Sequence, residues 1–186
     1  MTDKLLGSKI AGGNTAYGRI KADFYPTPAE ATQALLDFLH IPKTCKIWEP
    51  ACGEGHMVQT LRNNGYDVIG TDINQGQDYL EINKPDDVDW IITNPPFSHA
   101  VEFISKSIDH GLPFAFILKA QFWNARKRYP IFNKQPPTWI LPLTWRPDFL
   151  FKTRGKGAPL MDVMWCVWLP ENTDTRFKPL LKPFIE

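Results

Sequence analysis

The sequence predicts an α/β protein built on a single doubly wound, mostly parallel sheet. Short apolar runs alternate with segments of helical periodicity along most of the chain, and the first run leads straight into a glycine loop and a helix start. That strand–loop–helix unit, followed by further strand–helix alternation, is the pattern of a parallel sheet with crossover helices. A last pair of apolar runs lacks an intervening helix, which places an antiparallel hairpin at the carboxyl-terminal edge.

Residues 1–22 are Gly-rich and polar without periodicity and are expected to form a flexible arm, leaving residues 23–186 as one domain. Thr27-Pro28-Ala29-Glu30 has capping-box spacing with proline at the first helical position. The apolar stripe Ala34, Leu35, Phe38 and Leu39 extends that helix over about 28–39. Strands are expected near 46–50, 66–71, 89–93, 114–118, 138–143 and 163–169, with further helices near 55–64, 98–110 and 120–132.

A chain of 186 residues with 43% hydrophobic content and seven tryptophans supplies a sizeable core. No run reaches the ~18 apolar residues of a membrane span, and MTDKLLGSKI lacks a secretory apolar region, so the expected location is cytoplasmic. Cys45, Cys52 and Cys166 are odd in number and without paired spacing; His40, His56, His99 and His110 are scattered. Neither a disulfide framework nor a metal site is expected.

Two segments carry the chemistry. Asn94-Pro95-Pro96-Phe97 follows the apolar run Trp90-Ile91-Ile92-Thr93 and places an amide, a proline-locked turn and an aromatic ring at a strand end. The Asn94 side-chain oxygen and the Pro95 carbonyl form a pair of acceptors suited to an exocyclic amine, whose lone pair is otherwise delocalised into its ring. Phe97 offers a face on which that ring stacks, holding the nitrogen roughly 3 Å from a reactive methyl. Upstream, Glu49-Pro50-Ala51-Cys52-Gly53-Glu54-Gly55 ends the first strand in a glycine loop that permits close backbone approach to a ligand. A dinucleotide fingerprint would place a third glycine at position 58, where the chain has Val58; a nicotinamide or flavin enzyme is disfavoured. The next strand ends in Asp72, a carboxylate positioned for a ribose diol.

Taken in order, Glu49-Pro-x-x-Gly-x-Gly, Asp72, Asp78-Tyr79-Leu80 and Asn94-Pro95-Pro96-Phe97 resemble the motif set of class I S-adenosylmethionine-dependent amino-methyltransferases. The closest resemblance is to DNA adenine-N6 methyltransferases, in the small stand-alone form of phages and prophages. Asp23-Phe24-Tyr25-Pro26-Thr27-Pro28 resembles their amino-terminal motif. The resemblance implies S-adenosylmethionine as cofactor, with Tyr25 and Thr27 near the methionine carboxylate and Glu49 near its amine. Pro50, Ala51, Cys52, Gly53 and Gly55 would wrap methionine and ribose, and Asp72 would take the ribose hydroxyls with Ile73 beside it. Asp78 and Tyr79 would meet the cofactor's adenine, and Asn94, Pro95, Pro96 and Phe97 would hold a base flipped out of the stack. Asp72 and Asp78 are too close for the family's usual intervening helix, a departure that bears on the third strand and on Asp78.

Charge is segregated. Residues 27–105 hold four Lys/Arg against twelve Asp/Glu, and residues 106–158 hold ten against two, balances of −8 and +8. A basic half points to a polyanionic partner, because phosphate contacts release counterions. Within residues 119–160 the cations lie among aromatics and glycines, so Arg126, Arg128, Arg146, Lys152, Arg154 and Lys156 are the expected contacts to double-stranded DNA. Phe122 and Trp123 have a second reading as anchors of a helix on the sheet. RNA bases, cytosine N4 and protein glutamine are alternative methyl acceptors, and a catalytically silent nucleic-acid-binding module is the alternative of another class.

Overall fold

The computed structural model describes residues 25–149, 159, 161–170 and 174–184. The elements, in chain order, are α1 (Ala29–Leu39), β1 (Lys46–Glu49), α2 (His56–Asn63), β2 (Asp67–Gly70), β3 (Trp90–Thr93), α3 (Ala100–His110), β4 (Phe114–Lys119), α4 (Tyr129–Lys134), β5 (Trp139–Pro142), β6 (Val163–Trp168) and β7 (Arg176–Phe177). The seven strands form one sheet in the order β2-β1-β3-β4-β6-β5-β7. β1 to β4 are parallel, and β6 runs antiparallel to both of its neighbours, β4 and β5. The expected antiparallel hairpin is therefore present, with the short β7 added parallel to β5 at the edge.

Both faces of the sheet are covered, which explains why the strands read as continuous apolar runs rather than alternating ones. Ile47, Ile92, Ala115, Ile117, Trp165 and Val167 pack with Ala31 and Leu35 of α1 and Met57 and Leu61 of α2. Their sequence neighbours Trp48, Ile91, Phe114, Phe116, Cys166 and Trp168 pack on the other face with Phe103 and Ile104 of α3. The Trp165 indole donates to the Ala31 carbonyl at 2.8 Å, fastening α1 to the sheet. Phe114 and Trp168, directly opposite in the β4–β6 register, stack with centroids 4.5 Å apart.

Two helices differ from expectation, and β7 is a strand that no apolar run announced. The helix anticipated over 120–132 is a pair of 3-10 turns, Phe122–Asn124 and Arg126–Arg128, followed by α4. Pro130 is the cause, since it lacks an N–H and clashes with the carbonyl of residue i−4; it is accommodated only in the first turn of the new helix. Helix α1 starts one residue later than its capping box predicts, with Pro28 as the cap residue and no side-chain cap. The Thr27 hydroxyl is engaged elsewhere, by Asn94. The segment between β2 and β3 forms a 3-10 turn, Ile73–Gln75, and loops, with neither the third strand nor the helix that a longer spacing would allow.

Among the described residues no helix is long and apolar enough to cross a membrane, and no group of three His, Cys, Asp or Glu side chains converges on a metal position.

Candidate active site

Strand order reverses about β1, which leads to β2 on one side and to β3 on the other. A crevice opens at the carboxyl ends of strands at such a switch point. Here the crevice is walled by the ends of β1, β2 and β3, the start of α2 and the extended segment before α1.

The glycine loop is shaped by local backbone demands. Gly53 and Gly55 have φ of 51° and 83°, left-handed values that side chains disfavour. Gly70 answers a different constraint: a Cβ there would lie 2.9 Å from Val58 Cγ2 and 3.3 Å from the Cys52 side chain. Its missing side chain lets the loop and α2 close down on the end of β2. The Cys52 N–H donates to the Thr71 carbonyl at 3.0 Å, and Thr71 N–H to Glu49 at 2.9 Å, carrying the β1–β2 pairing into the loop.

Two carboxylates stand in the wall. Asp72, only 7% exposed, accepts from the Gly53 N–H at 2.8 Å through Oδ2 and from the Asn74 backbone and side-chain N–H groups at 2.9 and 2.8 Å through Oδ1. It ties the glycine loop to the 3-10 turn and uses three of about four acceptor positions of a carboxylate. Glu49 is 3% exposed, and its Oε2 is buried without a partner. Burial pushes its carboxyl well above the usual range; a backbone hydrogen bond from Val58 opposes this and the Asp72 charge adds to it. Beside them Ile73 presents an apolar side chain that is 64% exposed. The neighbouring Cys52 thiol is pushed up to about 11, chiefly by burial and then by the charges of Glu49 and Asp72. It is a packing group rather than a nucleophile at neutral pH.

Opposite the carboxylates, the Asn94 Nδ2 donates to the Tyr25 carbonyl at 2.8 Å and to Thr27 Oγ1 at 3.1 Å. Pro95 is buried and Pro96 reaches the wall. The half-buried Phe97 ring lies 5.3 Å from Tyr25, which makes an edge contact with Phe149 at 6.3 Å. The Lys119 ammonium, at the end of β4, lies over the Phe97 ring 4.5 Å from its centroid.

The structure thus brings Tyr25, Thr27, Glu49, Ala51, Cys52, Asp72, Ile73, Asn94 and Pro96 to one wall. Pro50, Gly53 and Gly55 shape the loop behind it, and Phe97 adjoins through Tyr25. Asp78 and Tyr79 are not in the wall. The Asp78 carboxylate accepts from the Leu80 N–H at 2.9 Å, closing its own turn. Tyr79 is 1% exposed, packed between Trp48 and Phe103, with its hydroxyl 2.6 Å from Ser107 Oγ. Without an intervening helix, this connection drops its aromatic residue into the core instead of holding it at the crevice.

The basic contacts also divide. Arg126 is exposed, whereas the Arg128 guanidinium folds over the Phe122 ring, 4.1 Å from its centroid, and donates to the Phe122 carbonyl. Arg128 is a structural brace for the turns. Arg146 forms an exposed ion pair with Asp162 at 2.7 Å, and Lys152, Arg154 and Lys156 lie outside the described residues. Sequence reasoning missed His56, Met57 and Asn74 in the wall, the close approach at Gly70, and Lys119. His56 and Met57 begin the helix after the glycine loop, a position from which they were legible; Lys119 reaches Phe97 only through the β3–β4 pairing.

No family model matches the chain, and no curated protein sequence does. Solved structures do. A protein from Listeria monocytogenes assigned as a class I S-adenosylmethionine-dependent methyltransferase superposes with a TM-score of 0.59 at 17% identity, over 95% of this chain and 71% of that one. The fold is that of the class I methyltransferases. The methyltransferase subunit of a type I restriction-modification system from Streptococcus thermophilus matches with a TM-score of 0.57 at 14% identity, over 94% of this chain and 51% of its own. A Pyrococcus horikoshii protein assigned as an RNA methyltransferase matches with a TM-score of 0.58 at 18% identity, over 91% of this chain and all of its own. The chain spans about half the length of the restriction-modification subunit.

Proposed function

We propose that this protein transfers a methyl group from S-adenosylmethionine to the N6 amine of adenine in DNA. The observation that carries the reading is the meeting, in one crevice of a methyltransferase fold, of Glu49 and Asp72 with Asn94 and Pro96 of the Asn94-Pro95-Pro96-Phe97 turn.

The wall fits the cofactor. The partnerless Glu49 Oε2 suits an ammonium, Asp72 retains acceptor capacity for ribose hydroxyls, and exposed Ile73 suits the face of an adenine ring. Tyr25 and Thr27 line the side on which the methionine carboxylate would lie. When bound, S-adenosylmethionine supplies an electrophilic methyl on a sulfonium.

The chain's own contribution is to make a poor nucleophile competent. Asn94 Oδ1 and the Pro95 carbonyl accept the two N–H groups of the target amine, confining its lone pair to nitrogen and orienting it. Phe97 stacks on the extruded base, which fixes the approach distance. The proton is lost after transfer, so no general base is needed in the wall. The +8 balance of residues 106–158 and the restriction-modification neighbour support DNA as the partner.

Incubation with labelled cofactor and either duplex DNA or RNA, followed by nucleoside analysis, tests the assignment. Labelled N6-methyladenine from DNA is the expected product; label in RNA alone replaces the substrate, and label in neither refutes the reading. Asn94→Ala should keep cofactor affinity and lose at least about a hundredfold in turnover.

A further inference from the structure

The Asn94 amide is held by two acceptors from one short segment. The Tyr25 backbone carbonyl, 2.8 Å away, has no proton to give, so only an N–H of the amide can face it. The opposite amide orientation would set two carbonyl oxygens against each other. Thr27 Oγ1 takes the other Nδ2 hydrogen at 3.1 Å. With both hydrogens engaged, Oδ1 is the amide's remaining polar atom. Thr27 is 4% exposed and gives no cap to α1, although its position before the helix suits a cap.

We infer that Thr27 is a positioning residue that locks the Asn94 amide in the polarity set by the Tyr25 carbonyl, engaging its second hydrogen so that an acceptor and never a donor faces the reacting nitrogen. This inference rests on the proposed amine methylation and adds a role that neither the glycine loop nor the Asn94 turn supplies. An asparagine side chain is symmetric in shape and opposite in chemistry at its two ends; turned over, it would point N–H groups at an amine that needs acceptors. The Tyr25 carbonyl removes that orientation, and Thr27 completes it by occupying the second hydrogen, which would otherwise compete for the target's nitrogen lone pair.

The test compares Thr27→Val, which keeps the shape and removes the acceptor, with Thr27→Ser, which restores it. Turnover is read at saturating cofactor, with KM for the nucleic acid determined separately. The side-chain amide protons of Asn94 are followed by NMR in cofactor-free protein and assigned by their loss in Asn94→Asp. In wild-type protein both Asn94 protons should exchange at least about tenfold more slowly than those of the exposed Asn124. Thr27→Val should release one of them, lower kcat at least about tenfold and leave KM within about twofold; Thr27→Ser should recover both readouts. Normal turnover in Thr27→Val, or unchanged Asn94 exchange, overturns the inference. If the valine variant does not fold, the wild-type spectrum decides, because Asn94 protons exchanging as fast as those of Asn124 refute the clamp. The NMR arm needs neither cofactor nor substrate, so a failure of the methyltransferase reading is told apart from a failure of the clamp.

Discussion

Replacing Glu49 by Gln should make the cofactor-free protein more stable as pH rises, while costing it affinity for S-adenosylmethionine. Glu49 is 3% exposed, one of its oxygens has no partner, and burial together with the Asp72 charge raises its carboxyl well above the usual range. A carboxyl raised on folding binds more protons in the native than in the unfolded state between the two pKa values, so stability falls as pH climbs through that window. Each unit of upward displacement costs about 1.4 kcal/mol once the group is ionised. Gln has nearly the same shape and keeps an acceptor for the Val58 hydrogen bond, but it never ionises. The two proteins should melt together below the unfolded value, about pH 4.3. Above it the Gln variant should gain progressively, and each ~1 kcal/mol gained raises the melting midpoint of a domain of this size by roughly 2–4 °C. Thermal melts of both proteins from about pH 4 to 9 read this directly, because the other titrating groups cancel in the difference. Saturating S-adenosylmethionine should reverse the order, since its ammonium supplies the partner that Glu49 lacks. A constant difference at every pH, or a wild type that gains on the variant as pH rises, would refute the argument that Glu49 is a buried group awaiting a cation.

Gly70→Ala places a Cβ against Val58 and Cys52 at sub-van-der-Waals distance and should destabilise the protein by about 1–3 kcal/mol, with weaker cofactor binding, as urea melts and calorimetry would show. Changing Lys152, Arg154 and Lys156 together to Ala should weaken DNA binding on every sequence and reduce the salt slope by up to about three charges, leaving cofactor affinity intact. A triple variant with wild-type DNA affinity and slope would move the contacts to other cations, of which Arg126 is exposed and Lys119 adjoins Phe97.

The order of the central strands and of helices α1 to α3 was legible because those strands are buried on both faces and those helices on one, so the sequence shows apolar runs and apolar stripes there, whereas the exposed two-residue β7 carries no such signal. The glycine loop, the acid after β2 and the Asn-Pro-Pro-Phe turn were legible for a related reason. Left-handed backbone at Gly53 and Gly55, and proline-restricted backbone after Asn94, are local demands that few residue types meet. What the sequence left open depends on contacts between distant segments. Tyr79 belongs to the core because Trp48, Phe103 and Ser107 surround it, and nothing in its own neighbourhood of the chain says which way the short connection faces. Thr27 reads locally as a helix cap and is instead an acceptor for Asn94, 67 residues away, while Arg128 reads as a surface cation and braces Phe122. A side chain's type and local spacing limit what it can do, but the choice among hydrogen-bond partners of similar energy is made by the tertiary structure that brings one of them within 3 Å.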